Sequence, residues 1–344
     1  MNSKKGYVGI MVAAGKQRRH VLQHYMRFSP PNMPLYSFTP SSINWKRRTI
    51  IGLHRSKGKW MFRRFAFPRS VYNRCYDLER IKVMRRLEHV IGRQTCFNHT
   101  NKFNKFEVHT HLLESLAPYL PETILYRPEE VVSFLEKHNV IYLKPVYGLQ
   151  GKGVYRVERK ESGEIHIGYH HFSPNTILPD SGKLLKHLEG LIRKKPYIIQ
   201  QGIPIQQVNE QTFDLRVLVQ KNGSGEWSVT NVVSRIAHKG CYNTSISETI
   251  CLSEEALRPF YAPEQIEVVR LFIESVSVTA AQQLETRSGL HLGELSVDFA
   301  LDNDRHFWII ELNGNPQKDL YKEFESQTAV YKQPMQYAHY LSRK

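Results

Sequence analysis

Asp298, Glu311 and Asn313 are the residues whose types and spacing point most directly to chemistry. They lie in the run from Leu292 to Asn315, where Leu295, Val297, Phe299 and Leu301 alternate with other residues and Asp302-Asn303-Asp304 supplies turn chemistry. The aromatic and β-branched run Phe307 to Ile310 follows, so the spacing predicts a hairpin. Residues two apart on a strand share a face, which puts Glu311 and Asn313 together and brings Asp298 beside them. Two carboxylates and an amide, with no thiol or imidazole, suit a hard divalent ion, usually Mg²⁺ held together with phosphate oxygens. The alternative is a hairpin whose acids face water, since so short a pattern also arises by chance.

A second element could supply the phosphate partner. Val140 to Leu143 reads as a short buried strand ending at Lys144, and Gly148, Gly151 and Gly153 follow before strand alternation resumes at Val154. Glycines let backbone N–H groups approach phosphate oxygens, and a lysine at a strand end adds a point charge there. The run lacks the GKS/T ending of a Walker loop, and a strand follows it rather than a helix. Taken alone, it is equally a glycine-rich β-turn.

Three further strands are predicted at Tyr197–Ile203, at Phe213–Val219 with the alternation of a half-buried strand, and at Asn231–Ile236. In this order the pieces resemble the ATP-grasp superfamily over residues of about 100 to 330. The resemblance implies that Lys144, Gly148, Gly151 and Gly153 hold ATP phosphates and that Gln200, Gln201 and Ile203 line the adenine pocket. It gives Asp298, Glu311 and Asn313 to magnesium. Val71-Tyr72-Asn73-Arg74, Phe103-Asn104-Lys105-Phe106-Glu107 and Leu120-Pro121-Glu122-Thr123 look like the YheC/YheD endospore coat-associated branch, in which Lys105 resembles a first ATP-contacting lysine. Lys105 is otherwise a solvated residue at a helix start. One departure is Thr244-Ser245-Ile246-Ser247-Glu248, where this branch leads us to expect an Asn and a Gly-Gly pair; it bears on acceptor contacts.

The elements that must position these residues set the fold class: α/β (α+β), an ATP-grasp fold of two lobes gripping ATP, preceded by a basic mixed α/β domain. The boundaries expected are 1–100 for the basic domain, 101–195 and 196–333 for the lobes, and 334–344 for a C-terminal tail. Residues 1–100 hold 21 Lys+Arg against 3 acids, and the remainder 27 against 29, so the whole excess of +16 belongs to the first domain. There Arg47, Arg48, Arg55, Arg63 and Arg64 are interleaved with Trp45, Trp60, Phe62 and Phe65 in a hairpin turning at Lys57-Gly58. Such a face favours acidic partners; without a helix-turn-helix, zinc finger or RNP-type motif, nucleic acid is the weaker reading. A helix from Asp77 to Ile91, capped by Asp77, is expected next, then helices at 105–116, 128–137 and 263–286.

No apolar run reaches membrane-spanning length, and the apolar stretch near the N-terminus is short for a signal peptide. Cys75, Cys96, Cys241 and Cys251 form no C-x-x-C pair, which points to free thiols in a reducing cytosol. The close histidine pairs His20/His24, His109/His111 and His170/His171 lack an evident third ligand, so surface histidines are expected rather than zinc. The resemblance implies an ATP-dependent ligase that activates a carboxylate as an acyl phosphate for an amine or related nucleophile, with ATP and Mg²⁺ as cofactors. The carboxylate and nucleophile are unidentified; an acidic peptide or coat protein fits the basic domain, and a spore-coat setting comes from the resemblance. Arg216 and Arg235 are candidates for the γ-phosphate or acyl phosphate, or else for structural ion pairs, and Lys318 is a further candidate for the same cleft. The rival reading is a structural coat component that keeps the fold, and ATP binding, without turnover.

Overall fold

The computed structural model describes residues 6–31, 33–193, 195–325 and 327–344. The first sheet is built on β1 (Val8–Met11), which is buried at every position and runs parallel between β2 (Leu35–Phe38) and β6 (Ser70–Asn73). It is completed by β3 (Ile43–Asn44), β4 (Thr49–Ser56), β5 (Lys59–Ala66) and β7 (Cys96–Phe97). The β4–β5 turn falls at Lys57 and Gly58 with φ of 48° and 80°, the paired positive values of a tight hairpin turn. Helix α1 (Gln17–Arg27) buries only Leu22 and Tyr25, too sparse a stripe for the sequence to announce. Helix α2 (Arg80–Ile91) starts later than expected: Asp77 does not cap it but pairs with Arg80 Nε at 2.8 Å.

The second sheet is antiparallel throughout. Its strands are β8 (Thr123–Leu125), β9 (Val140–Pro145), β10 (Tyr155–Arg159), β11 (Ile165–Tyr169), β12 (Thr176–Leu178) and β13 (Tyr197–Gln201), in the order β12-β11-β10-β9-β13-β8. Helices α4 (Pro128–His138) and α5 (Leu184–Ile192) cover one face with Val131, Phe134, Leu135, Leu184 and Leu188. Because β13 pairs with β8 and β9, it belongs to the first lobe's sheet, beyond the boundary expected at 195/196. Helix α3 (Lys105–Leu116), capped by the Asn104 side chain, departs the other way: its Val108, Leu112 and Leu116 join the core of the third sheet.

That sheet comprises β14 (Gln207–Val208), β15 (Gln211–Lys221), β16 (Trp227–Ala237), β17 (Ser247–Leu252), β18 (Glu294–Leu301) and β19 (Phe307–Asn313). Its order is β17-β16-β15-β18-β19, with β14 on β15. Central strand β15 is not half-buried as expected but buried from Thr212 to Lys221. Phe213, Leu215, Val217 and Val219 pack under α7 (Pro263–Ser288), near the short α6 (Ser253–Leu257). The alternate residues Asp214, Arg216, Leu218 and Gln220 face the other side and are buried there too. Residues 334–344 are no tail: they complete α8 (Gln327–Arg343), whose Val330, Met335, Ala338 and Leu341 share one core with Val8, Ile10 and Leu22.

Met335→Ala removes a fully buried side chain from that shared core and is expected to cost about 2–5 kcal/mol in denaturant unfolding. Val268→Ala, on the exposed face of α7, is expected to stay within about 0.5 kcal/mol. Equal losses would remove α8 from the core.

Candidate functional site

Strand register assembles a ring of charge on the inner face of the third sheet. Asp298 lies opposite Arg216 on β15 and opposite Glu311 on β19, while Asp214 lies opposite Arg235 on β16. Arg216 grips Asp298 with two bonds of 2.8 and 2.6 Å, and Arg235 bonds both Asp214 and Asp298, the latter at 3.0 Å. Burial would raise the Asp298 pKa, but the two guanidiniums bring it down to about 2. Burial likewise works against the charge on Arg235, and Asp214 and Asp298 more than restore it. The ion pairs foreseen as one alternative for Arg216 and Arg235 are therefore present, and both arginines still line open space.

A bulge re-aims the other carboxylate. The β18–β19 register shifts between Asp298 and Phe299, leaving Ile310 as the extra residue, so Ile310 and Glu311 both line the cavity although they are adjacent in sequence. Glu311 Oε1 accepts from Lys105 Nζ at 2.5 Å. Asn313 Nδ2 donates to Asp298 at 3.2 Å, which leaves its amide oxygen as a ligand atom. The set is all oxygen and carries two carboxylates, which fits Mg²⁺.

Facing this sheet, Lys144 at the end of β9 donates to Gln200 Oε1 on β13 at 2.5 Å, and Gln200 Nε2 donates to Thr123. Burial pushes the Lys144 pKa down to about 8, Lys105 pushing the same way while Glu311 and Asp298 oppose both. Gln201 accepts from the Glu122 N–H. Gly148, Gly151, Gln200, Gln201, Ile203, Lys105 and Lys144 border one slot between the two lobes, floored by Asp298 and Glu311. Gly153 does not line it; its φ of 75° and the Tyr197 hydroxyl, 2.8 Å from where a Cβ would stand, require glycine for backbone reasons. Arg216 and Asn313 border a second cleft of about 540 Å³, which shares Lys105, Arg235, Asp298 and Glu311 with the slot and is walled by His20, His24, Arg74 and Tyr76 of the first domain. Lys318 also borders it, but is held by Glu294 at 2.7 Å.

The segment after β16 closes the slot and was not singled out as a closure by the sequence. Tyr242 donates its hydroxyl toward Val154 and Gly168 carbonyls of the first lobe, and Thr244 bonds Asp214 at 2.5 Å. Asn243, just before the departing stretch 244–248, reaches over the glycine loop: its Nδ2 is 2.3 Å from the position of a Cβ on Gly151, whose φ of 67° also favours glycine. With this closure the slot by itself holds about 130 Å³, and it runs on into the second cleft past Gly148, Leu149 and Ser245.

Residues 93–341 match the family described as YheC/D like ATP-grasp. The endospore coat-associated protein YheD of Bacillus subtilis (strain 168) is 26% identical over 323 residues, covering 90% of this chain and 71% of the relative. The VanG D-Ala:D-Ser ligase from Enterococcus faecalis shares the fold at a TM-score of 0.58 and 13% identity, over 98% of this chain and 99% of its own. The ATP-grasp ligase PsnB, complexed with minimal precursor, Mg and ADP, does so at 0.54 and 14%, over 98% of each chain. No described helix is long and apolar enough to cross a membrane.

The depressed Lys144 pKa has a measurable consequence. In the free protein its ammonium should titrate near pH 8 by NMR of the lysine side chains, below its ordinary value of 10.5. Because Glu311 supports the charged form, Glu311→Gln should move that midpoint lower still. Burial of the charge then weakens folding below about pH 8, and the penalty fades as pH rises from about 8 toward 10.5. A midpoint above 10 would mean that Lys144 is solvated.

Proposed function

Because the chain belongs to the YheC/D-like ATP-grasp family and shares its fold with ligases, we propose that it is a magnesium-ATP-dependent ligase acting through an acyl phosphate. The observation that carries this reading is the meeting of Lys105, Lys144, Arg216 and Arg235 with Asp298 and Glu311 where the slot opens into the second cleft. Transfer of a phosphoryl group to a carboxylate brings anions together, so it needs fixed cations around the point of transfer.

On this reading adenine occupies the slot beside Gln200, Gln201 and Ile203, with phosphates under the 148–153 loop. Lys144 exchanges Gln200 for phosphate oxygen, and a bound phosphate favours its charged form. Lys105 likewise exchanges Glu311 for phosphate, which frees that carboxylate. Magnesium on Asp298, Glu311 and Asn313 would supply charge neutralisation between the phosphates. Arg216 and Arg235 hold Asp298 ionised and present cations to the transferring group. A substrate carboxylate in the second cleft attacks the γ-phosphorus as the bond to ADP breaks. An amine then attacks the acyl carbon, phosphate leaves, and the amine proton passes to solvent. The basic face of β4–β5, where Arg55 lies over Trp60 and Arg18 over Phe62, suits an acidic peptide or coat protein.

A second reading, a coat component that binds nucleotide without turnover, is favoured by the name of the YheD relative and by the closed slot. ADP release with and without acidic peptides and amines separates the two.

Lys144→Ala is expected to weaken Mg-ATP binding more than tenfold, through loss of a charge-assisted contact of about 1.5–3 kcal/mol, with the fold intact by circular dichroism. Glu311→Gln should abolish ATP turnover while leaving the metal-free thermal midpoint nearly unchanged; turnover at the parent rate would defeat the ligase reading.

Replacing Arg47, Arg48, Arg63 and Arg64 together with Gln tests the division of labour. All four are exposed on the first domain and outside both cavities. Salt-sensitive binding to acidic peptides should be lost, with Mg-ATP affinity changed less than about twofold, since exposed charges beyond a Debye length contribute little. Equal weakening of both would place the hairpin in the nucleotide site.

A further inference from the structure

Glu88 of α2, His99 between β7 and α3, and His291 between α7 and β18 meet at one point, although His99 and His291 are 192 residues apart. From these three we infer a transition-metal site, separate from the nucleotide cleft, that takes zinc and pins the first domain to the second lobe.

The donor atoms lie within 4.8 Å of one another. His99 Nε2 is 3.1 Å from Glu88 Oε2, and His291 Nδ1 is 3.8 Å from Glu88 Oε1. Tetrahedral zinc, with bonds of about 2.0–2.1 Å, sets its donors roughly 3.3 Å apart, so only small shifts are needed. The His99, His291 and Glu88 side chains are 6%, 10% and 13% exposed, so this is no chance meeting of surface groups. His291 Nδ1 is buried with no hydrogen-bond partner, a cost that a ligand at this point removes. Its Nε2 lies 2.5 Å from the Tyr337 hydroxyl; a proton on Nε2 donated there leaves Nδ1 as a lone pair.

Two imidazoles and one carboxylate form a borderline donor set that selects zinc over magnesium. An open cavity of about 630 Å³ reaches all three residues, giving an entry path and a fourth position for water or an anion. Two features limit affinity. Arg85, Arg93, Lys221 and Lys344 line the same cavity. Without an ion, His99 Nδ1 accepts the His291 N–H at 3.3 Å, so zinc must displace the Nε2 proton and give up that long bond. Affinity on the order of micromolar is expected rather than that of a closed structural site.

The test uses the full chain, stripped with chelator and titrated with zinc against a chromophoric competitor without ATP. One zinc per chain and a raised thermal midpoint are expected. His291→Asn and Glu88→Gln should each weaken uptake at least tenfold, and Glu311→Gln should leave it unchanged. X-ray absorption of the zinc-loaded parent protein should count two imidazoles and no sulfur, and this reading stands even where a variant fails to fold. No saturable uptake, uptake that survives both substitutions in folded variants, or a sulfur-containing donor set overturns the proposal.

Discussion

Strand β18 carries two carboxylates, Glu294 and Asp298, four residues apart on one face and both buried, and the rest of the structure is arranged to neutralise them. An unpaired buried carboxylate would lose its charge or unfold its surroundings, so each needs cations delivered from elsewhere in the chain. Glu294 receives Arg74 from just beyond β6 and Lys318 from beyond β19, with Tyr72 and Gln220 filling its remaining bonds. Asp298 receives Arg216 from the neighbouring β15 and Arg235 from β16, one strand further away. Burial raises the Glu294 pKa, but Lys318 and Arg74 lower it to about 2, as the arginines do for Asp298. One carboxylate fastens the first domain to the second lobe; the other sits where chemistry is proposed.

The same arrangement accounts for the sharing of cores. Tyr72 on β6 and Arg74 just beyond it reach Glu294 across the seam, and α8 closes over it with Tyr337 on Phe97 and Ser70 donating to the Ala338 carbonyl. The seam is therefore polar at its centre and apolar around it. The junction between the two grasp lobes is built differently. The segment after β16 sets Tyr242 on first-lobe carbonyls and Asn243 over Gly151, and at the start of α3 the Lys105 N–H donates to the Val146 carbonyl just beyond β9. The seam is cored with apolar side chains, whereas the junction between the lobes is made chiefly of polar contacts.

Local pattern made the strands legible. Alternation around Asp302-Asn303-Asp304 gave β18 and β19, Lys57-Gly58 gave the β4–β5 turn, and the helix expected to start at Lys105 is α3. Long-range contacts were not legible. Alternation on β15 predicts one wet face, but Asp214, Arg216 and Gln220 on that face are buried because charged partners cover it. Pro334 and the tyrosines around it hide a helix, since Pro is tolerated here by a core that sequence does not show. The bulge at Ile310 was equally invisible: its sole signal is one apolar residue too many before Glu311. The lobe boundary failed at β13 because a strand's neighbours are set by pairing and not by order along the chain.

Charge balance at the slot bears on how such a site binds a highly anionic ligand. Seven cations line the slot and the second cleft, Arg74, Lys105, Lys144, Lys152, Arg216, Arg235 and Lys318, against the four carboxylates of Asp214, Asp298, Glu311 and Asp319, so an anion meets a net positive lining. At the floor of the slot the lysines are already engaged, so binding there proceeds by exchange of partners. The exchangeable contacts are those of the lysines: Lys105 holds Glu311 and Lys144 holds the neutral Gln200. The arginine contacts are bidentate and buried, so they stay. A nucleotide that takes both lysines leaves Glu311 unpaired beside phosphate, an arrangement that only a divalent cation makes favourable. On the proposed reading, metal and nucleotide are coupled through Lys105: each would make room for the other, and either alone would leave a charge without a partner.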